Sequence, residues 1–63
     1  MTWRRALDGW VSGDGRWRVR KVQRVFWIYR DHQRFTPTGR FEDVLSYTSA
    51  LAAKARCEEE GAR

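Results

Sequence analysis

The chain is short of the residues that staple or metallate small domains: it has one cysteine, Cys57, one histidine, His32, and one proline, Pro37. A single thiol forms no internal disulfide, and one imidazole with no thiol near it in sequence makes no Cys/His zinc module, so both scaffold types are excluded. An unpaired cysteine suits a reducing compartment. Lysine is scarce as well. Only Lys21 and Lys54 occur, and arginine supplies the rest of the thirteen basic residues. No apolar run exceeds the five residues from Val25 to Tyr29, against roughly 20 for a membrane span and about 7 to 15 for a signal-peptide core. A soluble, cytoplasmic protein with no membrane partner is expected. The 63 residues suit a single domain, and a domain of that size buries only about 60 % of the surface its unfolded form exposes. That leaves little room for an enclosed catalytic cavity.

What the chain does have is positive charge and aromatic surface, both unevenly placed. Residues 1–41 carry ten Lys or Arg against Asp8, Asp14 and Asp31, a net of +7, whereas residues 42–63 carry three against five, a net of −2. The total of +5 points towards an acidic partner. Eight of the nine aromatic residues also precede residue 42, and aromatic enrichment favours pleated strands. Residues 3–41 are therefore read as sheet.

The sharpest local signal is Gly13-Asp14-Gly15 followed by Arg16-Trp17-Arg18-Val19-Arg20. Glycine admits the positive φ of a tight turn, and the polar/apolar alternation has the period of a strand with one solvated face. After a polar interruption, Lys21 to Arg24, the run Val25–Tyr29 reads as the central strand. A first strand runs through Trp3 to Leu7 or through Trp10 to Ser12, with Gly9 interrupting a continuous one. The register of the two main strands stays open. Trp17 and Val19 call for a large cross-strand neighbour, which favours Trp27 in the core. A two-residue connection at Gln23-Arg24 instead sets Arg20 opposite Trp27, and a three-residue loop reverses that assignment.

From Glu42 the period changes. Val44, Tyr47, Thr48, Leu51, Ala52 and Ala55 recur at three- and four-residue intervals, which predicts an amphipathic helix over 43–57 with Asp43 as N-cap and Leu51 in the core. Cys57, about 200° round the helix from Ala55, is expected on the solvent side. The small residues of the stripe let the helix approach the sheet closely, with tryptophans filling the space from below. Glu58, Glu59 and Glu60 stand at the negative end of the helix dipole, and Arg56 to Glu60 runs in the weaker order for a helical ion pair. A frayed tail over 59–63 follows. The fold class is α+β: an antiparallel sheet of about three strands packed against one C-terminal helix.

Arginine at every second position of a strand repeats at about 6.6 Å, comparable to the separation of successive phosphates along a nucleic acid strand. Its planar fork takes a phosphate or a guanine edge in two parallel bonds. The candidate nucleic-acid-binding residues are Arg16, Arg18, Arg20, Lys21, Trp27 and Arg30. The same arginines equally suit the solvated face of a half-buried sheet. Four tryptophans in so small a chain belong mainly to the core, with Trp27 and Tyr29 the ones that fall on the open face if Phe26 and Ile28 meet the helix. Enzymatic signals are weak. Asp31 and His32 are strand neighbours that point apart, Ser12, Ser46 and Ser49 stand in no nucleophile motif, and Gly13-Asp14-Gly15 lacks the lysine and helix of a phosphate loop. His32 reads as an exposed loop residue. No enzyme activity, cofactor, metal or small-molecule substrate is expected.

The order strand, hairpin, strand, then Thr38-Gly39-Arg40-Phe41-Glu42-Asp43 running into an alanine-rich helix resembles the arm-site-binding domains of tyrosine integrases and the plant ethylene-response-factor domains. Gly39 and Phe41 match the glycine and phenylalanine before the helix, and Tyr29-Arg30-Asp31 is similar to the strand ending before the last hairpin. The resemblance covers residues 15–56. It implies that the sheet, not the helix, enters the major groove of duplex DNA, with Arg and Trp contacting phosphates and bases. The tryptophan- and arginine-rich layout also looks like small phage proteins of actinobacterial hosts, some of which act on host proteins. The expected partner is thus duplex DNA, bound by a non-enzymatic phage or mobile-element accessory factor. The alternative is an acidic surface of a host protein, which an exposed apolar patch around Trp3 and Trp10 would favour.

Overall fold

Tight turns fold the first half of the chain back on itself four times, giving β1 (Trp3–Ala6), β2 (Gly9–Ser12), β3 (Trp17–Val22), β4 (Val25–Arg30) and β5 (Gln33–Arg34) in a sheet whose spatial order follows the chain. The computed structural model describes residues 1–62. All pairings are antiparallel. A 3₁₀ turn (Phe41–Asp43) leads to β6 (Ser46–Tyr47) and then to the helix α1 (Ala50–Gly61). β5 and β6 share one edge of β4: Tyr29 and Arg30 pair with Arg34 and Gln33, while Phe26 and Trp27 pair with Tyr47 and Ser46. The architecture is the expected α+β sheet with one C-terminal helix. It has six strands rather than about three, because the aromatic first segment splits at Leu7-Asp8 into a hairpin and two short strands complete the far edge.

Each turn has a local cause. In the β2–β3 loop the Ser12 hydroxyl donates to Asp14 Oδ1 at 2.6 Å and accepts from the Trp17 amide at 2.9 Å, while Asp14 Oδ1 also accepts from the Arg16 amide. Ser12 is wholly buried there. Between β4 and β5, Asp31 and His32 both adopt positive φ, the pair of left-handed residues that a two-residue hairpin matched to strand twist requires. His32 is exposed, as expected. Gly9 is needed for a different reason. It pairs with Arg20, and a Cβ at this position would lie 2.0 Å from the Val19 carbonyl oxygen.

The core lies between the helix and one sheet face. Trp17, Val19 and Ile28 meet Ala53 and Cys57, and Trp3, Trp10, Phe26, Phe35 and Tyr47 close its margins. Trp17 and Phe35 meet edge to face, with ring centroids 5.2 Å apart.

The helix differs from the expected one in position and phase. It starts at Ala50, not residue 43, and its N-cap is Ser49, whose Oγ accepts from the Ala52 amide at 3.1 Å; Asp43 belongs to the 3₁₀ turn and accepts a hydrogen bond from the Thr38 hydroxyl. Val44, Tyr47 and Thr48 therefore precede the helix and set no phase for it. Its buried face is Ala53 and Cys57, while Leu51 is 79 % exposed. Small side chains face the sheet because bulky Trp17 and Ile28 already fill the gap. Burial pushes the Cys57 thiol up to about 12. The helix also runs further than its charges imply. Residues 59–61 are helical, Arg56 pairs with Glu60 at 3.1 Å, and the Trp3 indole donates to Glu58 at 3.0 Å. Arg63, the last residue of the expected frayed tail, lies outside the described residues.

In urea unfolding followed by tryptophan fluorescence, Ile28→Ala should lose about 2–5 kcal/mol of stability, whereas Leu51→Ala should change it by no more than about 0.5 kcal/mol. Ala53→Leu, which forces bulk between helix and sheet, should cost about 1–3 kcal/mol. Cys57 should resist iodoacetamide at pH 8 in the native protein and react fully in urea; rapid native labelling would contradict its burial.

Candidate nucleic-acid interface

The β3–β4 turn is the two-residue connection Gln23-Arg24, with Gln23 at φ 58°, and it pairs Val22 with Val25. Arg20 then stands opposite Trp27, and Arg18 opposite Tyr29. Strand side chains alternate between faces, so Val19 and Ile28 go to the helix, and Arg18, Arg20, Trp27 and Tyr29 go to the face the helix leaves open. The apolar alternative for Trp27 is thereby excluded. Trp27 is only partly buried and shares the arginine face.

Following the pairing across the sheet gives two rows on that face. One is Arg4, Val11, Arg18, Tyr29, Arg34, running across all five consecutive strands. The other is Ala6, Gly9, Arg20, Trp27, Ser46. Arg16, just before β3, joins Arg18, Arg20, Tyr29 and Val11 around a shallow cavity of about 420 Å³. Arginine thus occurs on β1, β3 and β5 of one surface, with an aliphatic and aromatic floor between.

Two of the expected site residues are elsewhere. Lys21 pairs with Phe26 and Arg30 with Trp17, which are positions of the helix-facing parity. Their charged groups lie over aromatic rings, Lys21 Nζ 6.0 Å from the Phe26 centroid and the Arg30 guanidinium carbon 5.3 Å from that of Trp17. Both lie over the aromatic margin of the core instead of joining the open face. Trp3 and Trp10 form no free apolar patch. Trp3 is tied to Glu58, and Lys54 Nζ and the Arg5 guanidinium lie 3.3 and 4.9 Å from the Trp10 ring centroid.

The open face contains two residues that sequence reasoning did not single out. Arg34 stacks on Trp27, its guanidinium carbon 3.6 Å from the ring centroid, and its Nη2 donates to the Leu45 carbonyl at 3.2 Å and to Ser46 Oγ at 3.3 Å. The available signal was the Asp31-His32 turn, since a two-residue hairpin there places Arg34 opposite Tyr29. Asp8, in the β1–β2 turn, accepts from Arg18 Nη2 at 2.7 Å with one oxygen and pairs with Arg20 Nε at 2.9 Å through the other. The hydrogen bond from Arg18, aided by the Arg18 and Arg20 charges, holds the Asp8 carboxyl below the usual aspartate range. Ser12 and the Arg16 amide do the same for Asp14. Exposed pairs like those of Asp8 contribute only about 0.2–1 kcal/mol each. Among the described residues no three His, Cys, Asp or Glu side chains gather as metal ligands, and no helix is long and apolar enough to cross a membrane.

Because both aspartates titrate lower in the folded chain, their stabilisation is complete above the unfolded aspartate value of about 3.9 and is lost as pH falls through the folded values. Urea midpoints should therefore hold between pH 7 and pH 5 and fall below pH 4. Asp14→Asn should lower the midpoint at pH 7 and flatten that acid-side fall; an unchanged acid profile would show that Asp14 titrates alike in both states.

No protein-family model, curated protein or solved structure matches the chain.

Proposed function

We propose that the protein binds duplex DNA through the open face of its sheet and has no catalytic role. The observation that carries this is the shared face of Arg16, Arg18, Arg20 and Trp27, extended by Arg4 and Arg34 at either side and left uncovered by the helix. Three neighbouring strands span about 10 Å between their outer backbones, within the roughly 12 Å width of the major groove. The helix, which carries the acidic run Glu58–Glu60, lies on the opposite side and would face away from the phosphates. The Arg34–Trp27 stack also supports a duplex over a single strand: the guanidinium takes up one face of the indole, where an unpaired base would otherwise stack. Held in a fixed plane by that stack and by its Nη2 bonds to Leu45 and Ser46, Arg34 adds positive charge to this face beside the paired strands' arginines.

A heteronuclear NMR titration with a mixed-sequence duplex tests this. Amide shifts should concentrate in β3, β4 and β5, and affinity should fall with salt at a log–log slope of about −3 to −4.5, corresponding to three to five neutralised phosphates. Arg18→Ala should weaken binding and reduce that slope by about 1. Trp27→Ala should remain folded and bind less tightly. Shifts confined to α1, or no binding at low salt, would reject the proposal and favour an acidic protein surface as the partner.

A further inference from the structure

The arginines that make the open face positive already hold an oxyanion. Asp8 presents its two carboxylate oxygens to Arg18 Nη2 and Arg20 Nε at 2.7 and 2.9 Å, as two terminal oxygens of a phosphodiester would be presented to the same pair. We propose that Asp8 occupies the principal phosphate seat of the free protein and is displaced when DNA binds, so that Arg18 and Arg20 exchange a tethered carboxylate for a backbone phosphate. This rests on the DNA reading of the open face and adds which phosphate contact is made and what competes for it.

The local structure permits the exchange. The backbone of Asp8 is fixed, its carbonyl accepting from the Lys21 amide at 2.8 Å, so the side chain can leave by rotation without moving the turn. Both arginines and the aspartate are partly open to solvent. Arg20 has Gly9 as its neighbour on β2, which adds no side chain to crowd the seat once Asp8 has left it. Each arginine spends one nitrogen on Asp8 and retains other N–H groups for the ligand.

A tethered carboxylate has a high effective concentration at the pair, so a small single anion competes poorly with it. A duplex wins because Arg4, Arg16 and Arg34 engage further phosphates at the same time. Asp8 thus acts as a filter that favours polyanions over free phosphate or isolated carboxylates.

Binding of a mixed-sequence duplex and of inorganic pyrophosphate to the native chain, Asp8→Asn and Asp8→Ala tests the proposal. Asp8→Asn should bind the duplex about two- to five-fold more tightly near 0.1 M salt, with a log–log slope steeper by about 1, and Asp8→Ala should do the same. Pyrophosphate should shift the Arg18 and Arg20 Nε–H resonances in both variants at concentrations that leave the native chain unchanged. Weaker duplex binding by either folded variant would overturn the proposal, since Asp8 would then be a buttress that positions the arginines. If no form binds duplex, the DNA reading fails, and the pyrophosphate response decides the seat separately: equal responses in native and variant chains would overturn it.

Discussion

Gln23 takes up a left-handed backbone between β3 and β4, and the two-residue turn it makes sets Val22 against Val25. The sharing of one face by Arg18, Arg20, Trp27 and Tyr29 follows from that pairing. Val19 meets Ile28 beneath the helix, and Arg18 and Arg20 meet Tyr29 and Trp27 on the other side. A slip of one residue in β4 would carry Trp27 and Tyr29 into the core and Phe26 and Ile28 out of it. Since the run is apolar on both parities, hydrophobic pattern alone gives little preference between the two. The buried contacts of Val19 and Ile28 with Ala53 and Cys57 reinforce the choice made by the turn.

The helix succeeds as a lid because it is small where it touches the sheet. Alanine and cysteine bury little area themselves, so the apolar stabilisation comes from Trp17, Val19 and Ile28, with Trp3, Trp10, Phe26, Phe35 and Tyr47 around them. That division suits a short chain: large rigid side chains on the sheet supply much buried area at few positions. It also explains why Leu51, the largest apolar residue of the helix, is left outside.

Eight of the ten basic residues of 1–41 divide between two faces. Arg5, Lys21 and Arg30 lie over Trp10, Phe26 and Trp17 and seal the rim of the core. Arg4, Arg16, Arg18, Arg20 and Arg34 lie on the open face, where one internal carboxylate, Asp8, bridges two of them. Net charge by itself did not separate these groups. Alternation along each strand separated them, and it placed the five arginines around Val11, Trp27 and Tyr29.

Composition and period determined the class of this protein: aromatic, alternating residues before position 42 become sheet, and the alanine-rich segment becomes one helix. The Gly13–Gly15 loop and the strand after it were legible because their constraints, positive φ at Gly15 and alternation from Arg16, are local. The start and phase of the helix were not. Val44 and Tyr47 carry a helical spacing by coincidence, and Tyr47 is instead recruited to pair with Phe26 along a free edge of β4. The membership of the open face was only conditional in the sequence, depending on a turn whose length two readings shared. Strand alternation carries Lys21 and Arg30 off that face, whereas Arg34 and Asp8 joined it only through the folded structure, because closing the β4–β5 and β1–β2 hairpins is what sets Arg34 beside Tyr29 and Asp8 beside Arg18 and Arg20.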